Sequence, residues 1–228
     1  MSTPRISVNA LTQYLSAPPD QRRRIVALQK QPATFMVNYY EPAANVIAKA
    51  LCDLGSAEAV LSTAVDELYS RSAANDFDAH RLPNNAEAVD AFATVLDDLA
   101  ELIPDTLTLS RTSTRFPKLQ YHGVDVSVFP EVTIRGSYPR HGQVVGGINL
   151  FFAKDERRRL DGETARVPSA LISELLALHG GGAKVIGKLC LTADVFGGQI
   201  HAAPVAYKTT MRRVSSACEE IAMWWDRV

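Results

Sequence analysis

Two clusters of basic side chains have the type and spacing to contact phosphate. Arg22, Arg23 and Arg24 are consecutive in a helix-patterned segment, and Lys208, Arg212 and Arg213 open another, where Lys208 and Arg212 share a face at i, i+4 spacing. Guanidinium and ammonium groups bind phosphate through charge and directed N–H donors. A solvated helix face carries the same residues, so both readings stand. Among the strands, alternation along 124–135 places Val124, Val126, Val128, Pro130, Val132 and Ile134 on one face. Asp125, Ser127, Phe129, Glu131, Thr133 and Arg135 fall on the other, so Glu131 lies mid-strand among polar neighbours. Asn149 interrupts the apolar run Ile148, Leu150, Phe151 and Phe152 and needs a hydrogen-bond partner if that strand is buried. Asp194, just before Gly197 and Gly198, reads as a turn former or a ligand.

Several chemistries are excluded by what the sequence lacks. It has no G-x-x-x-x-G-K-[ST] phosphate loop, no G-x-G-x-x-G after a strand, no G-x-S-x-G elbow and no H-E-x-x-H pair. The histidines are scattered singly, and Cys52, Cys190 and Cys218 are far apart in apolar surroundings, which suits buried thiols in a reducing compartment. With 24 basic and 25 acidic residues the net charge is -1, so any phosphate partner must be recognised by local clustering rather than by total charge. Neither a signal-peptide pattern nor a membrane-length apolar run is present, and the expectation is a cytoplasmic protein with no membrane partner.

The elements that must position these residues change character along the chain. Residues 1–83 read as a helical region packed on a core domain of residues 84–228. Helices are predicted over 8–15, capped by Ser7, over 20–31, capped by Asp20, over 42–54, and after Ser56. An isolated strand is predicted over 34–40 and a loop over 70–85. A long helix over 84–103 ends at Pro104, after which period-2 alternation begins. Leu107 and Leu109 alternate with threonines, 119–122 meets 124–135 at Gly123, and 143–154 is the next extended run. A helix over 163–179, a buried strand over 184–196, its returning partner over 199–203 and an amphipathic helix over 205–227 complete the chain. The fold class is α/β, a central mixed sheet flanked by helices with the strand over 144–153 at its centre.

This order of helix, three-strand meander, helix and strand resembles the core of the PD-(D/E)XK nuclease superfamily. Pro130-Glu131 stands where that family has a Pro-acid pair, and the position of its acid-x-lysine triplet reads Gly147-Ile148-Asn149. The segment 6–15, with Ser7, Leu11, Tyr14 and Leu15, is similar to the opening helix of RecB-like members. The resemblance implies Mg²⁺-dependent phosphodiester hydrolysis of DNA or RNA, with Glu131 and Asp125 as metal ligands and Asn149 in the place of the activating lysine. It also implies Lys154 as the substitute cation, although alternation points Lys154 to the face opposite Asn149. Gly147 supplies no carboxylate and Asn149 no charge, losses worth several kcal/mol of transition-state stabilisation in such a site. The alternative is a non-catalytic module on the same fold. It would bind nucleic acid through the two basic clusters, or a protein through the C-terminal helix, where Trp224 and Trp225 cannot both turn inward.

Overall fold

A computed structural model describes residues 3–31 and 39–228. The chain enters through strand β1 (Arg5–Ser7) directly into helix α1 (Val8–Ser16). The Ser7 hydroxyl accepts the Ala10 N–H at 3.2 Å, the expected cap. Helix α2 (Pro19–Lys30) starts on Pro19, whose missing N–H costs nothing in a first turn; Asp20 lies inside that turn rather than capping it. The strand expected over 34–40 falls on residues outside those described, except Tyr39 and Tyr40, which turn into α3 (Glu41–Leu51).

Helix α4 (Ala57–Ser70) follows, then α5 (Asp76–Ala93) and α6 (Leu96–Leu102). Most of the segment expected as a loop is therefore helical. Asn75 caps α5 by accepting the Asp78 N–H at 2.9 Å, a signal masked in the sequence by Pro83, which lies inside the helix. The fully buried Asn85 side chain ties the next turn to α3, accepting from Ala43 N at 2.9 Å and donating to the Tyr39 carbonyl at 2.9 Å. The single long helix expected before Pro104 breaks at Thr94, whose hydroxyl donates to the Ala91 carbonyl at 2.7 Å.

Eight strands form two sheets among the described residues. The central sheet has the order β2-β5-β6-β7-β8: β2 (Leu107–Arg111), β5 (Val132–Tyr138), β6 (Gly142–Phe151), β7 (Lys184–Asp194) and β8 (Gln199–Ala202). Within this sheet only β6 and β7 run parallel, joined by the crossover helix α7 (Arg166–His179). The small sheet has the order β1-β4-β3, from β3 (Leu119–Tyr121) and β4 (Val124–Ser127), with β1 parallel to β4. The strand expected over 124–135 is thus two strands in two sheets. Pro130 cannot donate to a ladder, and pairing resumes only at Val132. The meander of the central sheet consists of β2, β5 and β6, and the hairpin at Gly123 belongs to the other sheet.

Alternation then assigns the layers. Val132, Ile134, Val144, Ile148 and Leu150 face α3, α4 and α5, while Val145 and Cys190 face α7, α1 and the last helix, α8 (Lys208–Trp225). The second layer also buries Ile6, Leu11 and Tyr14, so the amino-terminal strand and helix are part of the core. Each such large side chain contributes about 1.5–3 kcal/mol on burial. No helix among the described residues is long and apolar enough to cross a membrane.

The parallel pair at the centre tolerates no added atom at Gly146, where a Cβ would lie 2.5 Å from Leu189 Cβ and closer still to the Leu189 carbonyl oxygen. Gly146→Ala is expected to lower the urea midpoint, with a loss of about 1–3 kcal/mol or more typical of overpacking in a rigid core. An unchanged midpoint would contradict this packing.

Candidate functional site

Glu131 sits in the bend between Pro130 and β5, not in mid-strand. Because β5 begins with Val132 opposite Ile148, the backbone of Leu150 extends past its end with no strand to pair it on that side. Two side chains do so instead. The Glu131 carboxyl accepts the Leu150 N–H at 2.8 Å, and Asn9 of α1 donates from Nδ2 to the Leu150 carbonyl at 3.3 Å. Asn149 completes the arrangement, donating from Nδ2 to Asn9 Oδ1 at 3.1 Å. Asn149 is buried, so the partner its position demanded is Asn9, supplied from 140 residues away. Glu131 retains some surface as a residue, but its carboxyl group is enclosed by protein. Burial pushes that carboxyl up to about 8, against the lowering effect of the N–H donors of Leu150 and of Glu131 itself.

The polar row continues across the sheet. Asn149 pairs in register with Thr192 of β7, and Thr192 with His201 of β8, so the three share a face. The Thr192 hydroxyl and His201 Nε2 are buried without a hydrogen-bond partner among the described residues. Burial lowers the His201 pKa, Asp194 opposes this and Arg166 reinforces it. Sequence reading missed these two residues, although Thr192 interrupts an apolar strand just as Asn149 does. Asp194 is buried and committed to structure, accepting Leu160 N–H at 3.1 Å and Gly197 N–H at 3.0 Å.

The other residues implied by the nuclease resemblance do not join Glu131. Asp125 is in the small sheet, where Lys118 Nζ at 3.0 Å and Gln120 Nε2 at 3.1 Å occupy its carboxylate. The Lys118 hydrogen bond leads in holding that carboxyl below its usual range. The shared face expected for Asp125 and Glu131 is lost at Pro130. Lys154 lies beyond the end of β6 and reaches α5, where Nζ donates to Asn84 Oδ1 at 2.7 Å and pairs with Glu87. At Gly147 a Cβ would already be 3.0 Å from Pro130 Cβ and 3.3 Å from Ile172 Cγ2, which leaves no room for an acid. Octahedral Mg²⁺ needs converging, hydrated oxygen donors. One enclosed carboxyl that favours its proton and an amide bound to Asn9 do not fit that need.

The basic clusters do converge. Arg22 of α2 and Arg212 and Arg213 of α8 line one groove of about 410 Å³, along with Tyr14, Thr209 and Ser216. Arg22 is held in place by the Ala17 carbonyl at 2.9 Å and by Glu220 at 3.2 Å, and Arg213 is paired with Glu163. Among the described residues Arg212 bonds only to the Thr209 hydroxyl, at 3.3 Å, and it is exposed. Burial and the adjacent Glu220 carboxylate raise the Tyr14 hydroxyl, which stays protonated. The remaining basic residues lie outside the groove. Arg23 covers the Trp224 ring at 4.2 Å while Trp225 is buried, and Arg24 and Lys208 are exposed. No known protein family matches the chain, and no curated protein matches it.

Two measurements test this geometry. Below about pH 4.5 Glu131 is protonated in the folded and unfolded chain alike. Between there and about 8 only the unfolded chain ionises, so Glu131 lowers native stability as pH rises through that window. The stability gain of Glu131→Gln over wild type is expected to grow from pH 5 to pH 8, by at most about 1.4 kcal/mol per pH unit. A constant or shrinking difference would show that the carboxyl is ionised in the native state. Asn9→Ala strands the Leu150 carbonyl and the Asn149 amide, and a loss of about 1–3 kcal/mol per abandoned group is expected in chemical denaturation.

Proposed function

We propose that the protein binds nucleic acid through phosphate contacts in the α2–α8 groove, without metal-dependent cleavage. The observation that carries this reading is the convergence of Arg22 with Arg212 and Arg213, about 190 residues apart in sequence, on one open groove. Arg212 is exposed, Arg22 and Arg213 keep N–H donors beyond those used on Glu220 and Glu163, and the Thr209 and Ser216 hydroxyls line the same groove, a donor set that phosphodiester oxygens accept. Such binding needs no excess of positive charge on the whole chain, which fits a net charge of -1.

The nuclease resemblance supports the same reading from the other side. What supports the likeness, although the hairpin at Gly123 lies in the other sheet, is the order β2-β5-β6, α7 and β7 set beside the helix, meander, helix and strand of that superfamily. Its metal position is held instead by Glu131, Asn149 and Asn9 hydrogen-bonding to one another and to Leu150. A fold of this kind whose acid and lysine positions have closed keeps surfaces that fit nucleic acid and lacks the groups that activate water.

Fluorescence anisotropy with labelled single-stranded and double-stranded DNA and RNA tests the proposal. Binding is expected to weaken linearly in log-log form with salt, and Arg212→Ala to weaken it and lower the slope by about one phosphate contact. Incubation with Mg²⁺ or Mn²⁺ is expected to leave the strands intact. Salt-insensitive binding, or none, would overturn the groove assignment, and Mn²⁺-dependent cleavage abolished by Glu131→Ala would restore the catalytic reading.

A further inference from the structure

A second pocket, of about 300 Å³, opens where the loop after β2 meets β5 and the C-terminal end of α7. Its floor is the polar face of β5: Thr133 and Arg135 point the same way, and Ser110 of β2 is paired opposite Thr133, with the two hydroxyls 3.1 Å apart. Thr112, Ser113 and Thr114 line the rim, and Phe116 forms an apolar wall. Arg111 borders the pocket too, but its guanidinium lies toward α3, where it donates to Asn45. None of the lining residues is acidic, unlike the α2–α8 groove, where Glu220 is present.

Three features give the pocket a sign and a size. Arg135 uses one N–H on the Gly180 carbonyl at 3.2 Å, which neutralises the negative end of α7 and leaves most of its donors uncommitted. His179 adds a second nitrogen base at the same end of the helix. The volume is at the lower limit of small-molecule sites and admits a single nucleotide, not a helix of nucleic acid.

We infer that this pocket binds a phosphate monoester of mononucleotide size. Arg135 and His179 hold the phosphate, and Phe116 packs against the organic group. Either a free mononucleotide or the phosphorylated end of a strand supplies this chemistry. The inference rests on residues that the α2–α8 groove does not share, so it stands or falls separately from the proposed nucleic-acid binding.

Calorimetric titration of the full chain with AMP, adenosine and inorganic phosphate tests it. Short oligonucleotides with a 5′-phosphate or a 5′-hydroxyl separate the two sources. AMP is expected to bind with a dissociation constant on the order of 0.1–1 mM, phosphate more weakly and adenosine not detectably. A preference for the 5′-phosphorylated strand over AMP would assign the site to strand ends, and the reverse to free nucleotide. His179→Gln, at an exposed position, is expected to weaken AMP binding about 5- to 10-fold while leaving the melting temperature unchanged. Arg135→Gln is expected to weaken it at least about 10-fold. Absence of binding by AMP and phosphate alike, adenosine binding as tightly as AMP, or wild-type affinity in both His179→Gln and Arg135→Gln would overturn the assignment.

Discussion

Much of this molecule depends on how the backbone of one buried residue, Leu150, is satisfied. It lies on the middle strand of the central sheet, and β5 stops two residues short of pairing with it. An unpaired buried N–H or C=O costs about 1–3 kcal/mol, a large share of the net stability of any domain. Glu131 takes the N–H and Asn9 the C=O, so a bend residue and a helix from the far end of the sequence become parts of the sheet. The Asn9 bond adds to the burial of Ile6, Leu11 and Tyr14 in holding α1 over the sheet. The Glu131 bond accounts for the retention of an enclosed carboxyl that favours its protonated form. A neutral carboxyl still accepts the Leu150 N–H through one oxygen, so the structural role does not require the charge that a metal ligand needs.

The sheet was legible in the sequence because its signals are periodic and local. The central strand, the helix after it and the next buried strand were expected within a few residues of where they stand, since apolar runs bounded by Gly and charged turns admit few other readings; the parallel pairing was not. The break at Pro130 was written in the sequence but outweighed by uninterrupted alternation on either side of it, which makes two strands look like one. That one misreading placed Asp125 beside Glu131. The Pro83 ring similarly concealed the first turns of α5, because a proline inside a helix is normally a boundary. Asn85 makes that position tolerable by tying the helix to α3, a tertiary effect that no local pattern reveals.

The candidate site was partly legible, and the division has a physical basis. That Asn149 needed a partner followed from burial alone, but the identity of Asn9 did not, because the two are 140 residues apart. The basic clusters were visible as charge runs, yet a run does not show which of its members share a surface. The helix geometry turns Arg22 to the groove and Arg23 onto Trp224. Trp225 then fills the core, so the two adjacent tryptophans solve the problem of their shared position by dividing it.

The placement of charge separates the two chemistries that the polar strand face could serve. A metal site needs carboxylates that converge and remain free. Here Asp125 is engaged by Lys118, Glu87 by Lys154, Glu163 by Arg213 and Glu220 by Arg22. Each pair removes an acid from the donors available to a cation and fixes a loop or helix instead. The face of β5 that continues from Glu131 carries Thr133 and Arg135, and the residues gathered around them are hydroxyls and a histidine. Such N–H and O–H donors suit an anion, and the Arg135 guanidinium among them disfavours a divalent cation. Along this strand, then, the one carboxyl is enclosed and favours its proton, and the surface beyond it carries N–H and O–H donors with no acid among them. That distribution supports the proposed phosphate contacts, whereas a metal-dependent nuclease needs nearly its opposite.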